Sequence, residues 1–388
     1  MPQSIFRPGG VVLEVELKSY EAGLIDSADP TSAPANSLTG GQNIRIQKQG
    51  KPESRDGSSL YGNFLGTTTG ILGGFNFVNR AGTQERLAVY DVGVYRDVAL
   101  TWTALTGVTM TTNLPADGAY FPLTDKFYIV NKTDNVVKYT SGTSGDQTDA
   151  NFKKGKYIVH FKNRLLVANV SSQEDYIWYT DLGVDTFSAN NYFRVAGTIT
   201  GMEVHYDKVL IFTKRKIYRL DNFTFNGVAA GPESVTELPV EFGAIYDRTI
   251  TTVNNFVYFV GQDITNKASI YKCDGYKAVS VSEPKIANTM NGLSTAQLAN
   301  SCAVEDGIYY RWHAAESGQT TNNIGILYDT VRDIFLPVER RLIAGRADFS
   351  CLWSSETTGQ WDVFAGTQGT GQVYKLNTGN YYDELAEE

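Results

Sequence analysis

The chain has 388 residues, of which 42% are hydrophobic and 20% are charged, so its composition favours a packed core over disorder. The formal net charge of −8 argues against a clamp for nucleic acid, which needs a basic surface, but it is compatible with a passage through which DNA slides. No apolar stretch approaches the roughly 18–20 residues that cross a bilayer and no N-terminal signal pattern is present, so we predict no membrane association.

Residues 1–62 differ from the rest of the chain and predict an N-terminal extension. Residues 11–17 alternate between apolar and polar side chains, which predicts a strand, and residues 26–36 are rich in Ser, Ala, Asp and Pro, which predicts a loop. Residues 42–46 alternate again, and a return strand is expected from Glu53 to Leu60. The extension therefore ends in a predicted hairpin over 42–60.

A short motif centred on an aromatic or aliphatic residue recurs seven times after residue 62. It reads Val94-Tyr95-Arg96, Val137-Lys138-Tyr139, Ile177-Trp178-Tyr179, Ile217-Tyr218-Arg219, Ile270-Tyr271-Lys272, Ile326-Leu327-Tyr328 and Val373-Tyr374-Lys375. The steps between the central residues are 43, 40, 40, 53, 56 and 47 residues. A recurrence of ~40–50 residues with several strands per unit is typical of a β-propeller. We therefore predict an all-β fold, a β-propeller of about seven blades.

Each motif follows a strand of nearly continuous apolar character, as expected for a strand that neighbouring blades cover on both faces. The predicted blades span residues 68–108, 117–146, 156–197, 199–237, 247–288, 300–339 and 346–379. The propeller is therefore predicted over 63–379. A strand from the other terminus can complete the last blade, and the 42–60 hairpin is the natural donor because its pairing would cover an open sheet edge. Alternatively, this hairpin and the long loops could pair with a neighbouring subunit.

Two further segments complete the chain-order prediction. Residues 288–300 predict a short helix between two blades. Residues 380–388 form a C-terminal tail with four acids, Asp383, Glu384, Glu387 and Glu388, and we expect this tail to fray.

Cysteine usage argues against disulfides and zinc. The three cysteines, Cys273, Cys302 and Cys351, are far apart and odd in number, so we expect free thiols buried in strands of a protein made in a reducing cytoplasm. In that compartment the glycosylation sequons at Asn131, Asn169 and Asn222 are chance matches. They are not expected to carry glycans.

A search for catalytic or binding motifs finds none. His160, His205 and His313 lie among apolar residues without Cys or carboxylate partners at metal-ligand spacing, which favours core or rim positions. The glycine-rich run 366–371 lies between two predicted strands and is interpreted as a hairpin turn. No nucleophile-elbow or phosphate-loop sequence is present.

Some propellers hydrolyse or bind sugars, which makes a sugar site an alternative. Carboxylates that could form an acid/base pair are Asp181, Asp185, Glu203, Asp274 and Glu305, but sequence alone cannot bring two of them to one sugar. Only residues 354–361 are similar to the turn that sialidase-type propellers repeat, and they have Glu in place of Asp. The five tryptophans fall mostly at positions that a blade buries, so the core is favoured over a sugar-stacking rim: Trp102, Trp178, Trp312, Trp353 and Trp361.

Two regions carry a more specific pattern. Within residues 161–220, strands led by basic residues alternate with aromatic strands, and a Lys/Arg turn leads into Ile217-Tyr218-Arg219. Residues 43–57 form a hairpin that ends in Arg55-Asp56-Gly57, and residues 242–275 continue the likeness. Over about two thirds of the chain, the sequence resembles the β-propeller of bacteriophage tail hub or nozzle proteins.

The resemblance implies a structural virion protein of a phage tail, made in the host cytoplasm. Copies would form a ring, a hexamer in short-tailed phages, below the portal and adaptor proteins and near tail spike, fibre or needle proteins. DNA would pass through the ring without specific binding. The family carries no catalytic residues, so we predict no enzymatic activity and no catalytic, cofactor-binding or metal site. This chain is shorter than many nozzle proteins, so a gate or a platform for spikes does not follow.

Two alternatives remain open on sequence. A glycan-binding protein or glycoside hydrolase predicts a pocket on the propeller axis lined by Arg and paired carboxylates. A cellular scaffold propeller predicts a monomer with a basic or apolar patch on its rim.

Overall fold

The computed structural model of the chain describes residues 3–5, 13–15, 19–27, 31–224, 231–232, 234–340, 349–357 and 360–378. Seven four-stranded antiparallel sheets form the blades of a β-propeller, so the predicted fold class is confirmed. In blades 1 to 6 the four strands follow the chain order from the innermost to the outermost. In blade 7 the three inner strands also follow the chain order, but the outermost strand comes from the N-terminal extension.

The strand bounds follow the predicted blades closely. Blades 1 to 4 comprise Ile71–Val78, Gln84–Tyr90, Gly93–Val98 and Thr101–Ala104; Asp117–Phe121, Lys126–Val130, Val137–Tyr139 and Gly145–Asp146; Tyr157–Phe161, Arg164–Val170, Gln173–Tyr179 and Tyr192–Arg194; and Ile199–His205, Lys208–Thr213, Ile217–Leu220 and Val235–Glu237. Blades 5 to 7 comprise Thr251–Val253, Phe256–Gln262, Ala268–Cys273 and Ala278–Ser280; Cys302–Asp306, Tyr309–Ala314, Ile324–Asp329 and Ile334–Phe335; and Phe349–Thr357, Gln360–Thr367, Val373–Leu376 and Ser58–Leu60.

The hydrophobic core lies between adjacent blades. Phe121 and Tyr128 of blade 2, for example, form one buried cluster with Leu165 and Val167 of blade 3. Burying apolar surface on both faces of a strand explains the continuous apolar runs that the sequence shows in the second strands. The second strands therefore supply the apolar side chains that pack between adjacent blades.

Tight turns join the first and second strands of the blades, and several need a positive φ. Asn163 and Asn255 have φ values of 60° and 68°, and Gly307 has a φ of 62°. Asn and Gly occupy this left-handed region at low cost, so these residues suit the tight turns in which they lie.

Ring closure uses a strand of the N-terminal extension, but the predicted hairpin is divided. Ile44–Ile46 pairs with Pro52–Ser54, whereas Ser58–Leu60 pairs with Val373–Leu376 of blade 7. The prediction of one return strand from Glu53 to Leu60 is therefore wrong. The strand pairing is interrupted at Arg55, whose buried guanidinium donates hydrogen bonds to the side-chain oxygen of Asn43 and to the carbonyl of Arg340.

The rest of the extension contains two further strand pairs and packs on blade 6. Gln3–Ile5 pairs with Leu13–Val15, which is the described part of the strand predicted over 11–17, and Gly23–Leu24 runs parallel to Ser37–Leu38. Arg332 of blade 6 donates hydrogen bonds to the carbonyls of Ile46 and Gln47, at 2.7 and 2.9 Å.

The helix predicted over 288–300 begins earlier in the structure and ends earlier. An α-helix spans Glu283–Asn291, followed by a short 3-10 turn at Leu298–Asn300. Pro284 is accommodated in the first helical turn, where its missing N–H costs nothing, and Ile286 and Met290 bury one helix face. Among the described residues no helix is both long and apolar enough to cross a membrane. The acidic tail 380–388 lies outside the described residues.

Antiparallel pairing sorts the connections onto two faces of the disc. We call the lower face the side that carries the turns between strands 1 and 2 and between strands 3 and 4 of each blade. The upper face carries the turns between strands 2 and 3 and the links between blades. The two faces differ in the side chains that they expose to solvent.

Candidate functional site in the axial cavity

A cavity of about 310 Å³ lies on the propeller axis. Every blade contributes lining residues, because the innermost strands converge there: they include Gly74, Asp117, Tyr157, Glu203, Asp247, Arg248, Cys302, Cys351 and Trp353. Sites in propellers commonly use such a central channel, so this cavity is the first place to look for function.

Arg248 reaches across the axis. It lies in a 3-10 turn, Asp247–Thr249, just before blade 5. Its guanidinium donates to the carbonyl of Ser350 in blade 7, at 2.6 Å, and to the carbonyl of Leu72 in blade 1. The side chain therefore ties three blades together, and main-chain carbonyls engage two of its five N–H donors.

Asp117 opens the innermost strand of blade 2 and presents its carboxylate to the cavity. The carboxylate accepts hydrogen bonds from the backbone N–H groups of Ile158 and Gly118, both at 2.8 Å. Burial among the blades, supplemented by the nearby charge of Asp247, raises the pKa of Asp117 to about 7 although these two hydrogen bonds oppose the rise.

Glu203 is the corresponding acid of blade 4. It accepts a hydrogen bond from the Thr252 hydroxyl at 2.8 Å, and burial raises its pKa to about 7, with a further contribution from Asp117. Carboxyl groups whose pKa values are raised to near neutral pH can donate or accept protons there. Acid–base chemistry is thus available in principle at the axis.

The two thiols that line the cavity do not act as nucleophiles in this state. Cys302 and Cys351 are buried, and burial raises the pKa of both, that of Cys351 to about 11. The thiolate is the reactive form, and it is scarce at neutral pH when the pKa is so high. In the part of the chain that the structure describes, no group of three or more His, Cys, Asp or Glu side chains is arranged to hold a metal ion.

Most residues singled out from the sequence lie away from the cavity. Asp181, Asp185 and Asp274 lie in turns between strands 3 and 4, on the lower face, so they do not meet at the axis. Of the five candidate carboxylates, Glu203 lines the cavity, and Glu305 is near enough to raise the pKa of Glu203.

The aromatic and histidine predictions are mostly confirmed. His205 and His313 are buried, and burial lowers the pKa of His160 and His205, which favours neutral imidazoles. Four of the tryptophans are buried, but Trp361 is 39% exposed on the lower face, so its assignment to the core is wrong. Trp361 is the second residue of the second strand of blade 7, Gln360–Thr367, at the end of the strand beside the lower face. The glycine-rich run 366–371 does form the predicted connection, between strands 2 and 3 of blade 7.

Sequence reasoning missed Asp117, Asp247 and Arg248. A usable signal was present, since Asp117 is the first residue of an inner strand and the other two stand just before one. Residues at or just before the start of an inner strand lie near the axis, so aligning the seven repeats by their inner strands would have marked these three as axial candidates.

The fold defines this chain as a seven-bladed β-propeller. No protein-family model matches it, and no curated protein matches it. Among solved structures, the crystal structure of the computationally designed Ika8 protein aligns with 82% of this chain and 99% of its own, at 9% identity and a TM-score of 0.45.

Proposed function

We propose that this chain is a non-enzymatic structural subunit of a bacteriophage tail, which forms a hub or nozzle ring around the DNA ejection path. The tail assignment draws on the resemblance of residues 43–57 and 161–220 to the hub and nozzle proteins. The structural role rests on a separate observation, the uneven distribution of exposed apolar side chains.

Fifteen large apolar side chains are exposed among the described residues, and ten of them lie on the lower face. Three others lie on the upper face and two on outer strands. The ten form the apolar lower face: Val78, Val98, Leu100, Leu123, Leu182, Val184, Tyr206, Tyr276, Val331 and Trp361. Concentrated exposed apolar residues mark a protein-interaction surface, and a subunit of a larger assembly needs one.

The axial cavity supports the same role. Arg248 spans the cavity through contacts with blades 7 and 1, and such a cross-link stiffens the disc instead of opening a passage. A duplex about 20 Å wide cannot enter a cavity of about 310 Å³. In this proposal DNA therefore passes through the centre of a ring of copies, not through the propeller axis.

The experiment is a measurement of size in solution, by light scattering on the purified chain, with two matched double variants. Leu182→Glu with Tyr206→Glu places two charges on the apolar lower face, and Val92→Glu with Ile264→Glu places two on the upper face. We expect the unmodified chain and the upper-face variant to form a ring-sized oligomer, and the lower-face variant to dissociate. A monomer at every concentration favours a scaffold propeller over a ring subunit.

A glycoside hydrolase is a second candidate, because the arrangement expected of it, axial carboxylates beside an arginine, is present in Asp117, Glu203 and Arg248. The two carbonyl contacts of Arg248 weigh against it, because they hold the guanidinium on the main chain of blades 7 and 1 and leave fewer of its five N–H donors for a substrate. Fluorogenic glycosides, sialosides included, test this directly. Hydrolysis that Glu203→Gln abolishes would replace the structural proposal.

A further inference from the structure

The upper face of blades 2 to 4 is strongly basic, although the chain as a whole is acidic. Two short runs in the sequence supply most of the charge, one in the link before blade 3 and one in the turn between strands 2 and 3 of blade 4. We call this surface the basic crescent; it comprises Lys132, Lys153, Lys154, Lys156, Lys214, Arg215 and Lys216.

Two neighbouring cavities bring these cations together. One, of about 550 Å³, is lined by Lys132, Lys153 and Lys154. The other, of about 270 Å³, is lined by Lys156 and Lys214. A single turn of blade 3 separates the cavities, since Asn169 lines one and the next two residues line the other. The crescent is therefore continuous across three blades.

Several of these ammonium groups form no close ion pair among the described residues. Within the described ranges, no carboxylate lies within 4.0 Å of the Nζ atoms of Lys153, Lys154 or Lys214. Lys154 and Lys214 are also exposed. Lys156 has only a long contact to Asp247, at 3.8 Å. These charges are available to an external anion.

Acids on this side of blades 2 to 4 offset part of the positive charge. Glu174 pairs with Lys132 at 3.2 Å, and Glu237 pairs with Lys216. Hydrogen bonds from the backbone and hydroxyl of Thr111, with a smaller contribution from the charge of Lys154, lower the pKa of Asp134, so this acid keeps its negative charge. The seven cations of the crescent outnumber the acids beside them, Asp134, Glu174, Glu237, Glu241 and Asp247, so a local excess of positive charge remains although the chain carries −8.

We propose that the basic crescent binds the phosphate backbone of duplex DNA without sequence preference. Lysines spread over three blades match a polymer with a repeating negative charge better than a single small anion. The surrounding acidic surface keeps the affinity low and makes it sensitive to salt, so DNA can be guided and released. The inference deepens the proposed conduit function and rests on it for its biological meaning.

The test uses the full-length chain and a 30-base-pair fluorescent duplex of mixed sequence, followed by anisotropy from 25 to 200 mM KCl. The variants are Lys153→Glu with Lys154→Glu and, separately, Lys214→Glu with Arg215→Glu. The control, Lys48→Glu with Lys51→Glu, makes the same charge change at two exposed lysines on the turn of the hairpin that packs on blade 6. Equal melting temperatures establish that all variants are folded.

We expect the unmodified chain to bind at low salt. Each crescent variant should weaken binding at least tenfold, and the control should change it by less than twofold. The neutral variant Lys153→Gln with Lys154→Gln should lower the slope of log K against log salt by about 2, because each phosphate contact contributes about 0.9. Three results would overturn the proposal: no binding at 25 mM KCl, equal loss in the control, or preferential displacement of DNA by polyglutamate, which would indicate an acidic protein partner.

This outcome is separable from that of the proposed function. DNA binding is measured on the isolated chain, whereas ring formation is measured by size, so either can fail while the other holds. A ring without DNA affinity would remove the crescent's role and keep the structural subunit. DNA affinity in a strict monomer would keep the crescent and remove the ring.

Discussion

The Nη2 atom of Arg45 lies 2.9 Å from a carboxylate oxygen of Glu339, which joins the N-terminal hairpin to the end of blade 6. Glu339 also pairs with the fully buried Arg311, whose guanidinium contacts Asp306 at 2.7 Å. Asn377, just after the last strand of the chain in blade 7, donates to Asp306 at 3.0 Å. One buried network therefore connects the extension and the two blades beside the point of closure.

The first prediction concerns Arg311. Replacing it with Met leaves Asp306 and Glu339 buried with less compensating charge, and breaking one partner of a buried ion pair costs about 3–5 kcal/mol. We expect a loss of this order in the free energy of unfolding, measured by urea titration. Arg194→Met is the control, because Arg194 is 59% exposed and its solvent-screened pair with Asp175 should contribute little to stability. Equal losses in the two variants would contradict the assignment of a closure network.

The second prediction concerns the closing strand itself. Deleting residues 1–62 removes Ser58–Leu60 and leaves Val373–Leu376 as an unpaired edge. Unpaired edges template aggregation, so we expect the truncated chain to scatter light and to melt at a lower temperature. Deleting residues 1–18 keeps the closing strand and the Ile44–Ser54 hairpin and serves as the control. A soluble truncated chain that melts like the full chain would show that closure does not depend on this strand.

The fold could be predicted from the sequence because a run of apolar residues recurs in every repeat. Neighbouring blades cover both faces of second strands such as Arg164–Val170. Most side chains of these strands are therefore apolar. What could not be predicted was the division of the 42–60 hairpin. That division depends on Arg55, and its partner at Arg340 is distant in sequence, so no local pattern reports the contact.

The axial site shows the same limit. Glu203 was one of five candidate carboxylates, and its partner Asp117 was not among them. The pairing of these two acids exists only because the ring brings blade 2 and blade 4 to one axis. The basic crescent is similar, since Lys154 and Lys214 are 60 positions apart in the sequence and share a face through the topology. Net charge alone, at −8, hid this local excess of cations.

The third prediction concerns the cysteines. Cys273, Cys302 and Cys351 are free and buried, and burial raises the pKa of each thiol. We expect all three to resist an aromatic disulfide reagent at pH 7.5 in the folded chain and to react fully in denaturant, because access and thiolate formation are both restored by unfolding. Rapid modification of even one thiol in the native chain would show that the blades open locally at that strand.

The fourth prediction follows from the raised pKa values of Asp117 and Glu203. Their pKa values rise from 3.8 and 4.5 to about 7 on folding, so between those limits the folded chain holds protons that the unfolded chain releases. The free energy of unfolding therefore decreases as pH rises through this window and stays lower above pH 7. Each pKa unit corresponds to about 1.4 kcal/mol, and partial exposure of both groups to the cavity reduces the net effect to about 1–2 kcal/mol per group.

Asp117→Asn and Glu203→Gln remove that cost, so each variant should gain stability relative to the unmodified chain when pH is raised from 5 to 8. Urea titration at both pH values measures the difference. Asp146→Asn is the control: the pKa of Asp146 is lowered, chiefly by the Thr148 hydroxyl, so it is ionised in folded and unfolded chains throughout this range and its effect should not depend on pH. If Asp117→Asn changes the free energy of unfolding equally at pH 5 and pH 8, the Asp117 carboxyl is already ionised in the folded chain across this range, and the prediction is contradicted.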